Sequence, residues 1–219
     1  PATPPSHFSR TAHLQACCSI CRLLTFCLTE FCCINDFSIL CRVIGSLFNR
    51  HPQDPLLVPL FTMLREGKLK DQWPLEQDEL LTRLQQNSDP QALASDYNAL
   101  FVGSECSVPP YASQWPNGPK EEEVRAFLTS RGMPLSEAPA DHFGVLLLAA
   151  SWLEDQSAED ESAAQLALFD DYLLPWCGAF LGKVEAHATS AFYRTLAALS
   201  REAIQAMYDE LNEGDDAEA

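Results

Sequence analysis

From Asp36 onward the hydrophobic residues recur almost without interruption at helical spacing, and no alternation of β-branched residues runs long enough to make a strand. Phe37, Leu40, Cys41, Ile44, Leu47 and Phe48 keep the i, i+3, i+4, i+7 rhythm. Leu56, Leu57, Leu60, Phe61 and Leu64 repeat it, as do Leu80, Leu81 and Leu84, and then Leu93, Tyr97, Leu100 and Phe101. Side chains three and four positions apart share one face of a helix, so each stripe is a surface that must be covered. A chain whose only period is this one specifies an all-α fold, a single multi-helix bundle.

Local signals agree. Asp89-Pro90 marks a helix start, because proline lacks an N–H that would in any case be unpaired there. Glu121, Glu122 and Glu123 precede Val124, Phe127 and Leu128, which suits the positive end of a helix dipole. His142 to Leu153 is apolar almost all round and reads as a central helix buried on most faces. It is too short for a bilayer, which needs about 20 residues. Leu166, Phe169, Tyr172, Leu173, Trp176 and Phe180 form a stripe crossed by Pro175, where a kink or break is expected. A last helix carries Phe192, Leu196, Leu199, Ala203, Met207 and Leu211, and residues 213–219 read as an acidic tail that frays.

Two loops stand out. Gly103 to Pro119 holds Pro109, Pro110, Tyr111, Trp115 and Pro116, and Gly132 to Asp141 joins two helices through Pro134 and Pro139. Rigid prolines and aromatic rings on a helical scaffold are material for a peptide-binding surface.

Residues 1–35 differ from the rest, with six of the nine cysteines (Cys17, Cys18, Cys21, Cys27, Cys32 and Cys33). A secretory signal fits poorly, since Glu30 interrupts the apolar stretch and no small-x-small site follows. A zinc or redox site at Cys18-Ser19-Ile20-Cys21 lacks a second ligand pair. The reading adopted is an extension outside the fold, such as a misplaced start. The other cysteines, Cys41, Cys106 and Cys177, are too few for a disulfide framework, so a reducing compartment, the cytoplasm, is expected.

Charge narrows the partners. Thirty-one acidic residues against fourteen Lys and Arg give a net charge of -17. Such a chain is unsuited to nucleic acid, whose phosphates demand a basic face, and to an anionic membrane surface. It favours a basic partner such as an arginine-bearing peptide, although the acidity common among soluble proteins explains the charge equally well.

Catalytic signatures are absent: no GxGxxG, no GxxxxGK[ST], no HExxH and no GxSxG. Of five histidines, His7 and His13 lie in the extension, and His51, His142 and His187 form no i, i+4 pair. Glu137-Ala138-Pro139-Ala140-Asp141-His142 is the most suggestive cluster. Asp141 and His142 fit a general base with its orienting partner, but nothing nominates a nucleophile. They are read instead as a helix start that also recognises a ligand, with simple capping by Asp141, His142 lying in the first turn, as the alternative. No catalytic group, metal or cofactor is expected.

Three segments carry a resemblance. Tyr97-Asn98-Ala99-Leu100-Phe101, then Val108-Pro109-Pro110-Tyr111-Ala112-Ser113, then Glu137-x-Pro139-x-Asp141-His142 resemble, in order and spacing, the motifs of the TorD/DmsD/NarJ family of redox-enzyme maturation chaperones. The resemblance covers about Asp36 to Asn212 and looks closest to the YcdY branch through FSILCRVIGSLF, ASWLEDQS and LLPWCGAFLGKVEAHAT. It implies an all-helical domain over 36–212 with a hinge near 132–141. It also implies a cytoplasmic, non-enzymatic chaperone that binds the twin-arginine leader of a molybdoenzyme, or its apo form, during cofactor insertion and before export. Members occur as monomers or domain-swapped dimers, and some are linked to guanine nucleotides. Carried over by position, the client-binding residues are Tyr97, Leu100, Phe101, Pro110, Tyr111, Gly118, Glu137, Pro139, Asp141 and His142. Tyr97 and Tyr111 stand where some relatives have tryptophan, which leaves the client open. By spacing alone Tyr97, Leu100 and Phe101 also fit core packing. Two other functions stay in view: an activation factor for a cytosolic metal enzyme without a leader, such as a zinc phosphoesterase, and a small metal-dependent hydrolase using Asp141 and His142.

Overall fold

Residues Phe143–Gln156, apolar almost all round as far as Leu153, form the helix at the centre of the most extensive packing in the bundle. The computed structural model describes residues 35–156 and 160–216, so the extension, with its cysteine-rich stretch and the Cys18–Cys21 pair, lies outside the described residues. In chain order the helices are α1 (Asp36–Asn49), a 3₁₀ turn (Pro55–Leu57), α2 (Val58–Arg65), α3 (Lys68–Gln72), α4 (Asp78–Gln86) and α5 (Pro90–Phe101). They continue as α6 (Glu121–Ser130), α7 (Phe143–Gln156), α8 (Glu161–Ala167), a π-helical stretch (Leu168–Leu173), α9 (Leu174–His187) and α10 (Ala191–Asp216). Among the described residues there is no strand, and the fold is all-α. Among the described residues no helix is long and apolar enough to cross a membrane.

Helix α1 lies along α7 because both present glycine at the crossing. A Cβ on Gly144 would stand 2.5 Å from the Gly45 carbonyl oxygen, and one on Gly45 would stand 2.8 Å from that of Gly144. The backbones therefore approach more closely than any side chain allows. At one end of this crossing Phe48 meets Phe143 edge-on at 5.0 Å, with Phe101 and Phe180 each at 5.8 Å, tying α1, α5, α7 and α9 into one aromatic core. At the other end the seam is polar. Ser38 and Ser151 share a 2.7 Å hydrogen bond, and Arg42 donates to Ser151 at 2.8 Å and pairs with Asp155.

The expected interruption at Pro175 takes a specific form. The chain widens into the π-helical stretch, Leu174 N–H reaches back to the Phe169 carbonyl, and α9 restarts with Pro175 in its first turn. There the missing N–H costs least. Trp176 Nε1 donates to the Tyr172 carbonyl at 2.8 Å, supplying a donor across the change of register.

Helix α10 packs against α1, α4, α8 and α9 and continues to Asp216. Its start is held from α5. Asp96, 5% exposed, accepts from Thr189 N (3.1 Å), Thr189 Oγ1 (2.9 Å), Ser190 N (2.9 Å) and Ser190 Oγ (2.5 Å). Burial alone pushes the Asp96 carboxyl up, but these four donors outweigh it and hold it below its ordinary range.

Candidate functional site

The two decorated loops meet at the start of α7. Ala112 N donates to the Asp141 carbonyl (2.9 Å), Phe143 N donates to the Pro110 carbonyl (2.8 Å), and Tyr111 and His142 form an isolated antiparallel bridge. Ser113 N donates to Asp141 Oδ2 at 2.9 Å, and the Tyr111 ring stands edge-on to the His142 ring at 5.3 Å. A short clasp of extended backbone thus joins the Pro-rich loop to the hinge motif. Asp141 is only 1% exposed, and its Oδ1 is buried with no hydrogen-bond partner. Tyr111 is half-buried, and its hydroxyl is pushed up by burial and by the nearby Asp141 charge.

The capping expected of Asp141 falls to its neighbour. His142 Nδ1 accepts from Gly144 N at 3.0 Å, so the imidazole rather than the carboxylate satisfies a first-turn donor of α7. Asp141 is instead turned back towards Ser113. Burial pushes His142 down to about 4 from an ordinary value near 6.5, which keeps Nδ1 free to accept. The sign follows. Above pH 6.5 the imidazole is neutral folded or unfolded. Below it the unfolded chain takes up the proton first, so stability falls as the pH drops towards the folded value. A loss of about 2 kcal/mol by pH 5 is expected from this group. Urea unfolding of the wild type and of His142→Asn between pH 7 and 5 checks this; the variant should lose that part of the slope.

The loops are fixed from behind by different means. Ser107 N and Val108 N donate to the carbonyls of Ala99 (2.9 Å) and Leu100 (2.8 Å), rooting the Pro-rich loop on the last turn of α5. The loop then closes on itself. Trp115 Nε1 donates to the Pro109 carbonyl (2.9 Å), Trp115 N to that of Ala112 (3.0 Å) and Gly118 N to that of Trp115 (3.0 Å). A Cβ on Gly118 would sit 1.8 Å from the Ala112 oxygen, so glycine there serves the closeness of this ring. The hinge loop is held by α6. Arg125 donates to the carbonyls of Ser136 (3.0 Å) and Ala138 (2.8 Å) and pairs with Glu121, whose Oε1 also accepts from Ala140 N at 3.1 Å.

The residues expected to bind a client divide into three groups. Tyr97, Leu100 and Phe101 are buried, and the Tyr97 hydroxyl, pushed up to about 12 by burial, donates to the Phe48 carbonyl at 3.0 Å. They form the floor under the loop root. Pro110, Tyr111, Asp141 and His142 come together at the clasp, with Gly118 behind them. Glu137 and Pro139 are exposed on the hinge loop. Two groups that organise this region, Glu121 and Arg125, were not among the candidates, and Trp115 was noted only as part of the Pro-rich loop. The spacing of Glu121 and Arg125 reads as an ordinary i, i+4 pair, and only the fold shows which carbonyls the guanidinium also holds. Among the described residues, no three His, Cys, Asp or Glu side chains are grouped to hold a metal.

The sequence profile of a family described as nitrate reductase delta subunit matches residues 66–182, spanning α3 to α9 and both loops. The chain belongs to the TorD/DmsD/NarJ family. Chaperone protein YcdY of Escherichia coli is 70% identical over 180 residues, covering 82% of this chain and 98% of that protein. The Tat proofreading chaperone DmsD of Salmonella typhimurium is 30% identical over 186 residues, covering 80% and 90%. An uncharacterized protein of Haemophilus influenzae is 40% identical over 184 residues, covering 82% and 97%. Two of the three motifs, far apart in sequence, meet at the start of α7, and the first lies beneath the root of the Pro-rich loop.

Proposed function

We infer that this chain is a chaperone of redox-enzyme maturation, and that in the cytoplasm it takes up the twin-arginine leader or the apo form of a molybdoenzyme, without catalysing a reaction on it. The observation that carries the reading is 70% identity to a protein named a chaperone, across 98% of that protein's length. The site adds chemistry that suits the client. Asp141 Oδ1 is a buried acceptor without a donor, and a guanidinium is the side chain best able to supply one with charge assistance. Exposed Glu137 and the net charge of -17 favour approach of a cationic peptide. Half-buried Tyr111 and Trp115 offer ring faces to the apolar stretch that follows the arginines. In this reading Tyr97, Leu100 and Phe101 support the surface from below.

The test is calorimetric titration with synthetic twin-arginine leader peptides. Asp141→Asn keeps an oxygen for the Ser113 amide and removes the charge, so binding should weaken by roughly tenfold to a hundredfold. Equal affinity for both proteins would remove Asp141 from the site. No binding across a panel of leaders, together with co-purification of a leaderless metal enzyme, would replace the reading with that of a cytosolic activation factor.

A further inference from the structure

We propose that the Pro110–Ser113 segment is a gate over Asp141, and that it is this segment, not the hinge loop, that moves when a client enters. The proposal rests on the reading of Asp141 as a client-binding group. It starts from an inconsistency: the carboxylate has an oxygen without a donor, yet the residue is 1% exposed, so no ligand reaches that oxygen as the chain stands. A wall has to shift, and the two walls are unequal.

On one side the hinge loop is bound to α6 by the two-pronged donation from Arg125 to Ser136 and Ala138, by the Glu121–Arg125 pair and by Glu121 to Ala140 N. Each of these bonds involves a charged group, and such bonds are roughly twice as strong as neutral ones. Helix α6 is in turn held by Phe127, stacked on Tyr172 of the π-helical stretch at 4.7 Å. On the other side the clasp has three backbone donors, Ala112, Ser113 and Phe143, of which only Ser113 meets a charge. All three would find water on opening, so the polar part of the cost is small, and what remains is the exposure of buried Pro110 and Ala112.

The gate is also built to move as a piece. Its loop is closed on itself by Trp115 to Pro109, Trp115 to Ala112 and Gly118 to Trp115. Trp115 lies against Trp176 and Phe180 of α9, at 6.4 and 6.1 Å between ring centres. Such an anchor makes a pivot: the closed loop rotates about the seated indole and carries the Pro110–Ser113 edge away from α7 with its internal bonds kept. Lifting that edge removes Tyr111 from His142 and uncovers Asp141.

Amide hydrogen exchange on the intact protein, resolved to single residues, tests this. In the free chain the amides of Ala112, Ser113 and Phe143 should exchange through one shared opening that is less sensitive to denaturant than the exchange of Leu146 within α7. The amide of Ala140 should not take part. Adding a saturating peptide with an Arg-Arg pair and an apolar stretch should speed exchange at the first three sites at least tenfold and leave Ala140 unchanged. Exchange of the three only by global unfolding overturns the gate, as does Ala140 opening with them, or a bound peptide that leaves them protected. A peptide that fails to bind counts against the assigned client, while the free-chain comparison still decides whether the gate exists.

Discussion

Gly144→Ala is expected to lower the stability of the bundle by about 4 kcal/mol, at or beyond the upper end of the usual cost of overpacking a core. The added methyl would lie 2.5 Å from the Gly45 oxygen, 2.7 Å from Asn49 Cβ and 2.9 Å from Asn49 N. Two of these atoms are backbone, so no rotamer change relieves the clash, and α1 must move away from α7. That movement would separate Phe48 from Phe143 and loosen the Ser38–Ser151 and Arg42–Ser151 bonds further along the same seam. Gly178 supplies the control. It lies exposed in α9, with nothing within 4 Å of a built Cβ, so alanine there should stabilise by about 0.5–1 kcal/mol through helix propensity alone. Urea denaturation of the two variants should give effects of opposite sign; a Gly144→Ala protein as stable as the wild type would disprove the close crossing.

Asp96→Ala should cost about 3–5 kcal/mol, because one carboxylate satisfies two backbone and two hydroxyl donors where the chain turns from α9 into α10. Ser190 is itself part of the helix start, since its Oγ accepts from Tyr193 N at 3.3 Å while donating to Asp96. Removing Asp96 therefore frees the capping hydroxyl as well as two N–H groups. Asp96→Asn retains one acceptor oxygen and should lose less. The pH dependence has a definite sign. With the folded carboxyl held below its ordinary range, its contribution is present above about pH 4, the usual value for aspartate, and disappears as the pH falls through the folded value. Acid unfolding of Asp96→Asn should accordingly begin at higher pH than that of the wild type.

The architecture was readable because each helix has to hide a stripe, and stripes are visible in one dimension. Leu93, Tyr97, Leu100 and Phe101 announced α5, and Asp89-Pro90 announced its start. What a stripe does not reveal is whether it covers the core or awaits a ligand, since both require apolar groups at the same spacing. Tyr97, Leu100 and Phe101 belong to the interior for that reason, although their motif resembles that of client-binding chaperones. The cap of α7 shows a different limit. Asp is the commoner capping residue, and choosing it over His142 is reasonable until the Pro-rich loop delivers Ser113 N to the carboxylate from 28 positions away. Arg125 was hidden likewise, because a guanidinium that reaches Ser136 and Ala138 looks on paper like any helical arginine four residues after a glutamate.

The placement of α10 bears on how a cell makes this protein. The ribosome releases this helix after α1, α4, α8 and α9, all of which rest on it, and after α5, whose Asp96 holds its start. A nascent chain that has emerged only as far as α9 still exposes the apolar sides of those helices, including Cys41, which in the finished bundle faces Met207. Until α10 docks, those apolar faces lack their cover, and such exposed surface is what makes a partly folded chain prone to aggregate.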